Sequence, residues 1–210
     1  MGQDRALDAP GPAAAHRKMR ASWGPLAVLS SLLAACSHLP TLTAHHDPLS
    51  AEEHDKLGAS YEAQGLSKEA RGQYEAALRK APADLKAWLA LGNLSFAQGD
   101  FKRAEAAYRR ILRSSPHHAG ASNNLAMVYL TQARRLADAE ALAQDALRQE
   151  GPLKPYVLDT LANIHVRQGR FSEARASLQL AEAAAPLEDA PLQEQLRRTR
   201  RSVEAERASP

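Results

Sequence analysis

Few of the 210 residues carry side chains whose chemistry goes beyond packing and surface charge. Cys36 is the only cysteine. A thiol can be acylated, oxidised or bound to a soft metal, but a lone one forms neither an intramolecular disulfide nor a cysteine-based zinc site. His45-His46 and His117-His118 are adjacent imidazole pairs. Such a pair binds a divalent metal weakly, and no carboxylate or cysteine is spaced to complete the ligand set. Glu52-Glu53 and Glu188-Asp189 are paired carboxylates, but they read as charges complementing the first turn of a helix. His165 falls at a packing position. H-E-x-x-H, G-x-S-x-G, the P-loop and the dinucleotide fingerprint are all missing from the sequence. The residues therefore predict no catalytic group, no metal site, no cofactor and no small-molecule substrate. A hydrolase with an unrecognised site is the remote alternative.

The surroundings of Cys36 give the thiol a role. Residues 21–35, ASWGPLAVLSSLLAA, are uncharged and apolar or small, and Arg17, Lys18 and Arg20 precede them. The run is shorter than the roughly 20 apolar residues a membrane span needs. A positive segment, a short apolar segment and a small-residue end describe an export signal over 1–35. Residues 1–18 lengthen that signal with Asp4, Asp8, Pro10 and Pro12, and Met19-Arg20 would open a more compact one, so Met19 is a candidate true start. Leu33-Ala34-Ala35-Cys36 resembles the bacterial lipobox, and the resemblance implies that Cys36 is lipidated and becomes the mature N-terminus. A soluble-export signal, or an apolar helix with an incidental cysteine, is the competing reading. Each buried methylene contributes about 0.8 kcal/mol and more than one acyl chain gives stable attachment. Ser37, in the place where aspartate favours inner-membrane retention in Gram-negative lipoproteins, implies lipid anchoring at the outer membrane, facing the periplasm. Residues 37–50, SHLPTLTAHHDPLS, complete a 36–50 segment of lipidated cysteine and flexible tether. It reaches roughly 20 Å as a coil.

Charge argues against a nucleic-acid partner. The net charge of +3 is partly confined to the first 35 residues, and the remainder is nearly neutral, without the basic patch that phosphate binding needs. Aromatic content of 5% with abundant alanine favours close helix–helix packing.

The body of the chain repeats itself. LGASYEAQGLSKEARGQYEAALRKAP (57–82) aligns with LGNLSFAQGDFKRAEAAYRRILRSSP (91–116) at an offset of 34 throughout, matching Gly58 to Gly92, Gly65 to Gly99, Ala70 to Ala104, Tyr74 to Tyr108 and Pro82 to Pro116. LANIHVRQGRFSEARASLQLAEAAAP (161–186) keeps the layout through Gly169, Ala174 and Pro186. These residues resemble the tetratricopeptide repeat, a 34-residue helix–turn–helix unit. The units run 51–84, 85–118, 119–154 and 155–188. His54 replaces tryptophan in the first, and Ser95 replaces tyrosine in the second. The third needs an extra residue near Gln132–Leu136 and lacks the closing proline, and the fourth has His165 in the tyrosine slot. The fold expected is all-α, a right-handed α-solenoid of about four helix hairpins. Residues 189–210 add a capping helix and tail, with Leu192, Leu196 and Val203 on its apolar face. Arg197, Arg198, Arg200 and Arg201 read as its solvated face, with a basic partner patch the minor alternative.

The resemblance also implies a function. In such arrays the first helices line a concave groove for protein or peptide partners. Carried onto this chain, the groove takes Glu52, Asp55 and Glu62 from the first unit and Lys86, Asn93 and Phe96 from the second. The third supplies Asn123, Met127 and Leu130, and the fourth Tyr156, Asp159, Asn163 and Arg167. Asp55 stands where chaperone adaptors of this fold place a clamp lysine, which argues against that activity. Anchor and fold together resemble the small outer-membrane lipoproteins that help assemble pilus and secretion complexes. The expectation is a membrane-anchored scaffold or assembly factor of the cell envelope, with an adaptor regulating peptidoglycan-remodelling enzymes as the alternative.

Overall fold

The computed structural model describes residues 47–149 and 151–205. Cys36, the export signal, Met19 and residues 37–46 of the tether lie outside the described residues. The chain divides into two units after Asp47, and the helical array is the second. Its helices are α1 Ala51–Ala63, α2 Ser67–Lys80, α3 Leu85–Ala97, α4 Phe101–Ser114, α5 Ala119–Thr131, α6 Leu136–Leu147, α7 Lys154–Arg167, α8 Phe171–Ala184 and α9 Ala190–Ala205. No strand occurs among the described residues.

Local sequence sets the ends. Ser50 caps α1 with a capping box: Glu53 N donates to Ser50 Oγ, and Ser50 N donates to the Glu53 carboxylate. Ser50 therefore belongs to the array, and the S-A-E-E pattern was the available signal. Asp84 and Asp100 cap α3 and α4 through their carboxylates. Each first helix in units one, two and four ends at Gln-Gly, with Gly65, Gly99 and Gly169 at φ 75°, 74° and 72°, the left-handed backbone that glycine adopts without strain. Unit three has Ala133 at this position, φ 48°, and then Arg135 at φ 52°. Its turn is one residue longer, which is the extra residue the alignment requires. The second helices α2, α4 and α8 stop before Pro82, Pro116 and Pro186. Ala81, Ser115 and Ala185 have ψ of 78°, 83° and 129°, outside the α region as a following proline requires.

The hairpins α1/α2, α3/α4, α5/α6 and α7/α8 stack as a right-handed α-solenoid. Successive first helices pack on one another, α1 on α3, α3 on α5, α5 on α7. They line the inner, concave face. The core is continuous through the stack. Trp88 packs against both the first and the central apolar clusters, and Leu147 against both the central and the last.

Close approach inside a hairpin rests on complementary size. A Cβ on Gly92 would lie 2.6 Å from Tyr108 Cε1, and one on Gly58 would lie 2.6 Å from Tyr74 Cε1. The glycines are there because the tyrosine rings lie flat against the helix. Matching positions in units three and four pair alanine with a smaller partner, Ala126 with Ala143 and Ala162 with Leu178, all buried.

Hairpins are joined by a repeated polar latch on the second helices. Glu105 on α4 binds Arg134 in the next unit's turn, Arg109 at 3.0 Å and the Tyr129 hydroxyl at 3.2 Å. Glu140, at the equivalent place on α6, binds Arg170 at 2.8 Å, Gln168 at 3.0 Å and His165 at 3.3 Å. Arg71 contacts Gln98 in the same relation one unit earlier. Burial opposes ionisation of Glu105 and Glu140, but their hydrogen-bonded and cationic neighbours outweigh it and hold both carboxyls below the usual range. The tyrosine-slot residues explain part of this. Tyr129 and His165 reach back to the preceding glutamate, whereas Ser95 is too short and bonds its own helix at Leu91 O.

Leu192, Leu196 and Val203 of α9 are at most 2% exposed against α7 and α8. Arg197, Arg198 and Arg201 lie on the outer side around Glu194, and Arg200 pairs with Glu182.

Candidate functional site

The first helices bring the sequence-derived groove residues to one face, but not on equal terms. At the start of the array, Glu52, Asp55 and Lys86 line a recess of about 330 Å³ together with Ala59, Tyr74 and Ala90. Glu52 is exposed and pairs with Lys56 at 2.8 Å. Glu62 accepts a hydrogen bond from the Tyr74 hydroxyl at 2.8 Å. Asp55 is half-buried. Burial, and then the negative charge of Asp84, push its carboxyl up to about 6. Its Oδ1 is buried without a partner.

The middle of the groove is neutral. Asn93 and Phe96 from α3 and Met127 from α5 line a recess of about 140 Å³ with Tyr108 and Asn124. Asn93 Oδ1 accepts from the Tyr108 hydroxyl at 2.9 Å and from Asn124 Nδ2 at 2.8 Å, leaving its own amide N–H groups on the exposed face. Phe96 stacks edge-on against Phe101, centroids 5.6 Å apart. Leu130 is half-buried against the central core. Tyr108 and Asn124 were not legible as groove residues. Tyr108 reads as a packing residue, and its hydroxyl reaches the inner face only because Gly92 lets the ring lie close. Asn124 had a weak signal in the Asn123-Asn124 pair.

Four expected groove residues are buried or engaged by neighbouring segments. Asn123 is 6% exposed, with Oδ1 unpartnered. Asp159 is 1% exposed. Asn163 donates to Thr199 Oγ1 of α9 at 3.0 Å and to its own helix at Asp159 O, 2.9 Å. Tyr156 donates to Asp189 ahead of α9. The last unit's inner positions are thus engaged by the C-terminal helix, and of its candidates Arg167 alone is exposed.

One constellation has the order of a hydrolytic triad. Glu140 Oε1 lies 3.3 Å from His165 Nε2, and His165 Nδ1 lies 3.4 Å from Ser177 Oγ. It lacks what the chemistry needs. His165 and Ser177 are 7% and 9% exposed, and Glu140 is held by Arg170 and Gln168. Ser177 sits inside α8, where backbone N–H groups are committed to the helix and cannot form an oxyanion hole. It is the inter-hairpin latch already described. His117 pairs with Asp145 at 3.2 Å, and His118 caps α5 through Nδ1. No cluster of three metal-ligating side chains occurs among the described residues. No helix among them is long and apolar enough to cross a membrane.

The arrangement can bind a polypeptide: exposed carboxylates at one end, then amide groups beside an apolar recess. Comparison with known proteins agrees with the repeat. The tetratricopeptide repeat family model matches residues 56–116 and 89–155. No curated protein sequence matches the chain significantly. Among solved structures, the chain is similar to a thermophilic tetratricopeptide repeat protein of Thermus thermophilus (TM-score 0.61, 22% identity, 75% of this chain and 88% of that one). It is similar to PilF of Pseudomonas aeruginosa (TM-score 0.61, 18% identity, 76% and 74%). It also resembles PilW, described as a widely conserved type IV pilus biogenesis factor (TM-score 0.62, 19% identity, 76% and 79%). At these identities the likeness is one of fold. Tetratricopeptide repeats are protein-interaction scaffolds, and with the family match and the stacked hairpins both over residues 56–155, this part of the chain is a tetratricopeptide repeat array.

Proposed function

We propose that the protein is a membrane-anchored assembly factor of the bacterial cell envelope, serving a pilus or secretion complex. It is tethered to the outer membrane through lipid on Cys36 and faces the periplasm. The single observation that carries partner binding is the inner-face recess of Asn93, Phe96, Tyr108, Asn124 and Met127. It pairs unspent amide donors with apolar surface, which suits a peptide's carbonyl groups and one buried side chain. The envelope setting rests on the Leu33-Ala34-Ala35-Cys36 motif and on fold likeness to PilF and to a pilus biogenesis factor.

The test is an Asn93→Ala, Met127→Ala double variant expressed in place of the wild type. It is expected to fold, to fractionate with the membrane and to lose both its crosslinked envelope partner and assembly of the pilus or secretion complex. Unchanged partner capture by a folded double variant would overturn the groove. Intact assembly with partner capture lost would overturn the role in such a machine.

A further inference from the structure

Asp159 on α7 is a buried carboxyl with only neutral partners. Its Oδ2 accepts from Gln195 Nε2 of α9 at 2.6 Å and from Asn163 Nδ2 at 3.3 Å. Its Oδ1 is buried with no hydrogen-bond partner. Charged groups on the surrounding elements are directed elsewhere. On α6, Glu140 binds Arg170 and His165, Asp138 binds Arg135, and Asp145 binds Arg148 and His117. The titratable residue of α5, Tyr129, contacts Glu105 and Arg109. On α8, Glu173 binds Arg170 and Glu182 binds Arg200, while Arg175 is exposed. On α9, Glu194 holds Arg197, Arg198 and Arg201, and Glu204 is exposed. On α7, Tyr156 binds Asp189, His165 faces Glu140, and Lys154 and Arg167 are exposed.

A carboxylate without a cation and with one oxygen unsatisfied is costly to bury, and the neutral acid is much less so. The helix that buries it is α9. Asn163 donates to Thr199 across this junction, and α9 packs on both α7 and α8, as each first helix packs on the hairpin before it. The helix therefore occupies the place of a fifth first helix and covers inner positions of the last hairpin.

We propose that α9 is a proton-dependent clasp on the groove: neutral Asp159 holds it, ionised Asp159 loosens it, and its release uncovers Asp159 and Asn163 to a partner. Burial pushes the Asp159 carboxyl above its ordinary range, against the lowering influence of the neighbouring Thr199 and Gln195 side chains. The docked state thus binds a proton more readily than the released one. Docking is strongest at acid pH, weakens as pH rises from the ordinary aspartate value through the raised one, and is level above it. The proposal rests on the groove reading only for what release uncovers.

Hydrogen exchange of the full-length chain tests the clasp without any partner, so its outcome is separate from that of the assembly role. Amides of α9, corrected for intrinsic exchange and referenced to α3 and α4, are expected to lose about tenfold or more of their protection between pH 4.5 and 8. Asp159→Asn is expected to remove that slope and to exceed wild-type protection at pH 8. Asp159→Ser, which removes the carboxyl without adding an amide, is expected to lose the slope as well. A flat wild-type profile, or the wild-type slope persisting in either folded variant, overturns the clasp.

Discussion

Replacing Gly92 by alanine tests whether hairpin geometry is set by the glycine–tyrosine contact. The new Cβ would lie 2.6 Å from Tyr108 Cε1, 3.0 Å from Cδ1 and 3.1 Å from Cζ. Carbon atoms rest at about 3.5–4.0 Å, so the nearest overlap is about 1 Å. The ring cannot swing clear, being 1% exposed and anchored through its hydroxyl to Asn93. Overpacking of this kind costs about 1–3 kcal/mol. Alanine's better helix propensity returns about 1 kcal/mol, leaving a net loss of up to about 2 kcal/mol. Gly72, exposed on α2 with nothing within 4 Å of an added Cβ, is the control: Gly72→Ala should gain up to about 1 kcal/mol. Urea titration of both variants reads the difference as opposite shifts in midpoint at constant slope. In a Tyr108→Leu background, the partner size that unit four uses with Ala162, the Gly92→Ala penalty should vanish, a coupling of about 1–3 kcal/mol. The reasoning is refuted if Gly92→Ala matches Gly72→Ala, or if its cost survives Tyr108→Leu.

Other substitutions test other parts of the account. Asp55→Asn should stabilise the fold at pH 7.5. The rise from 3.8 to about 6 sets an upper limit of about 3 kcal/mol, and solvent screening reduces this to about 1 kcal/mol. A raised folded value makes the penalty absent below pH 4 and complete above pH 6, so wild type and variant should converge in acid urea titrations. Glu140→Ala should cost about 1–2 kcal/mol near neutral pH by removing the carboxylate that Arg170, Gln168 and His165 share. Because the Glu140 carboxyl is held below its ordinary range, that contribution should fade as pH falls below about 4.5. Cys36→Ser should move the protein from the membrane to the soluble fraction, and an unchanged distribution would remove the lipid anchor from the account.

The sequence made the repeat legible because each unit solves the same packing problem. Gly58 and Tyr74 recur as Gly92 and Tyr108, and Gly65 as Gly99, at an offset of 34, and Gly169 holds the same place in unit four. The substitutions in unit three disclosed the longer turn, since losing a glycine at Ala133 and gaining a residue before Leu136 must change the connection. What the sequence did not disclose depends on long-range register. The period of Leu192, Leu196 and Val203 shows which face of α9 is apolar. It does not show that Gln195 and Thr199 meet Asp159 and Asn163. Those two were therefore read as open groove, and the structure places them beneath a helix. The burial of Asn123 was hidden for a related reason: position within a repeat fixes its face, but burial depends on how tightly the neighbouring helices close. The Glu105 and Glu140 latches were likewise hidden, because each joins a helix to a turn belonging to the next unit.

Site-specific photocrosslinking in intact cells tests the central claim that the inner face grips a polypeptide. A photoreactive residue would be placed at Asn93 or Phe96 on the concave side and, for comparison, at the exposed Glu75 or Lys102 on second helices. Discrete, reproducible adducts with an envelope protein from Asn93 and Phe96, and none from Glu75 or Lys102, are the predicted result. Adducts from the second helices alone would contradict it.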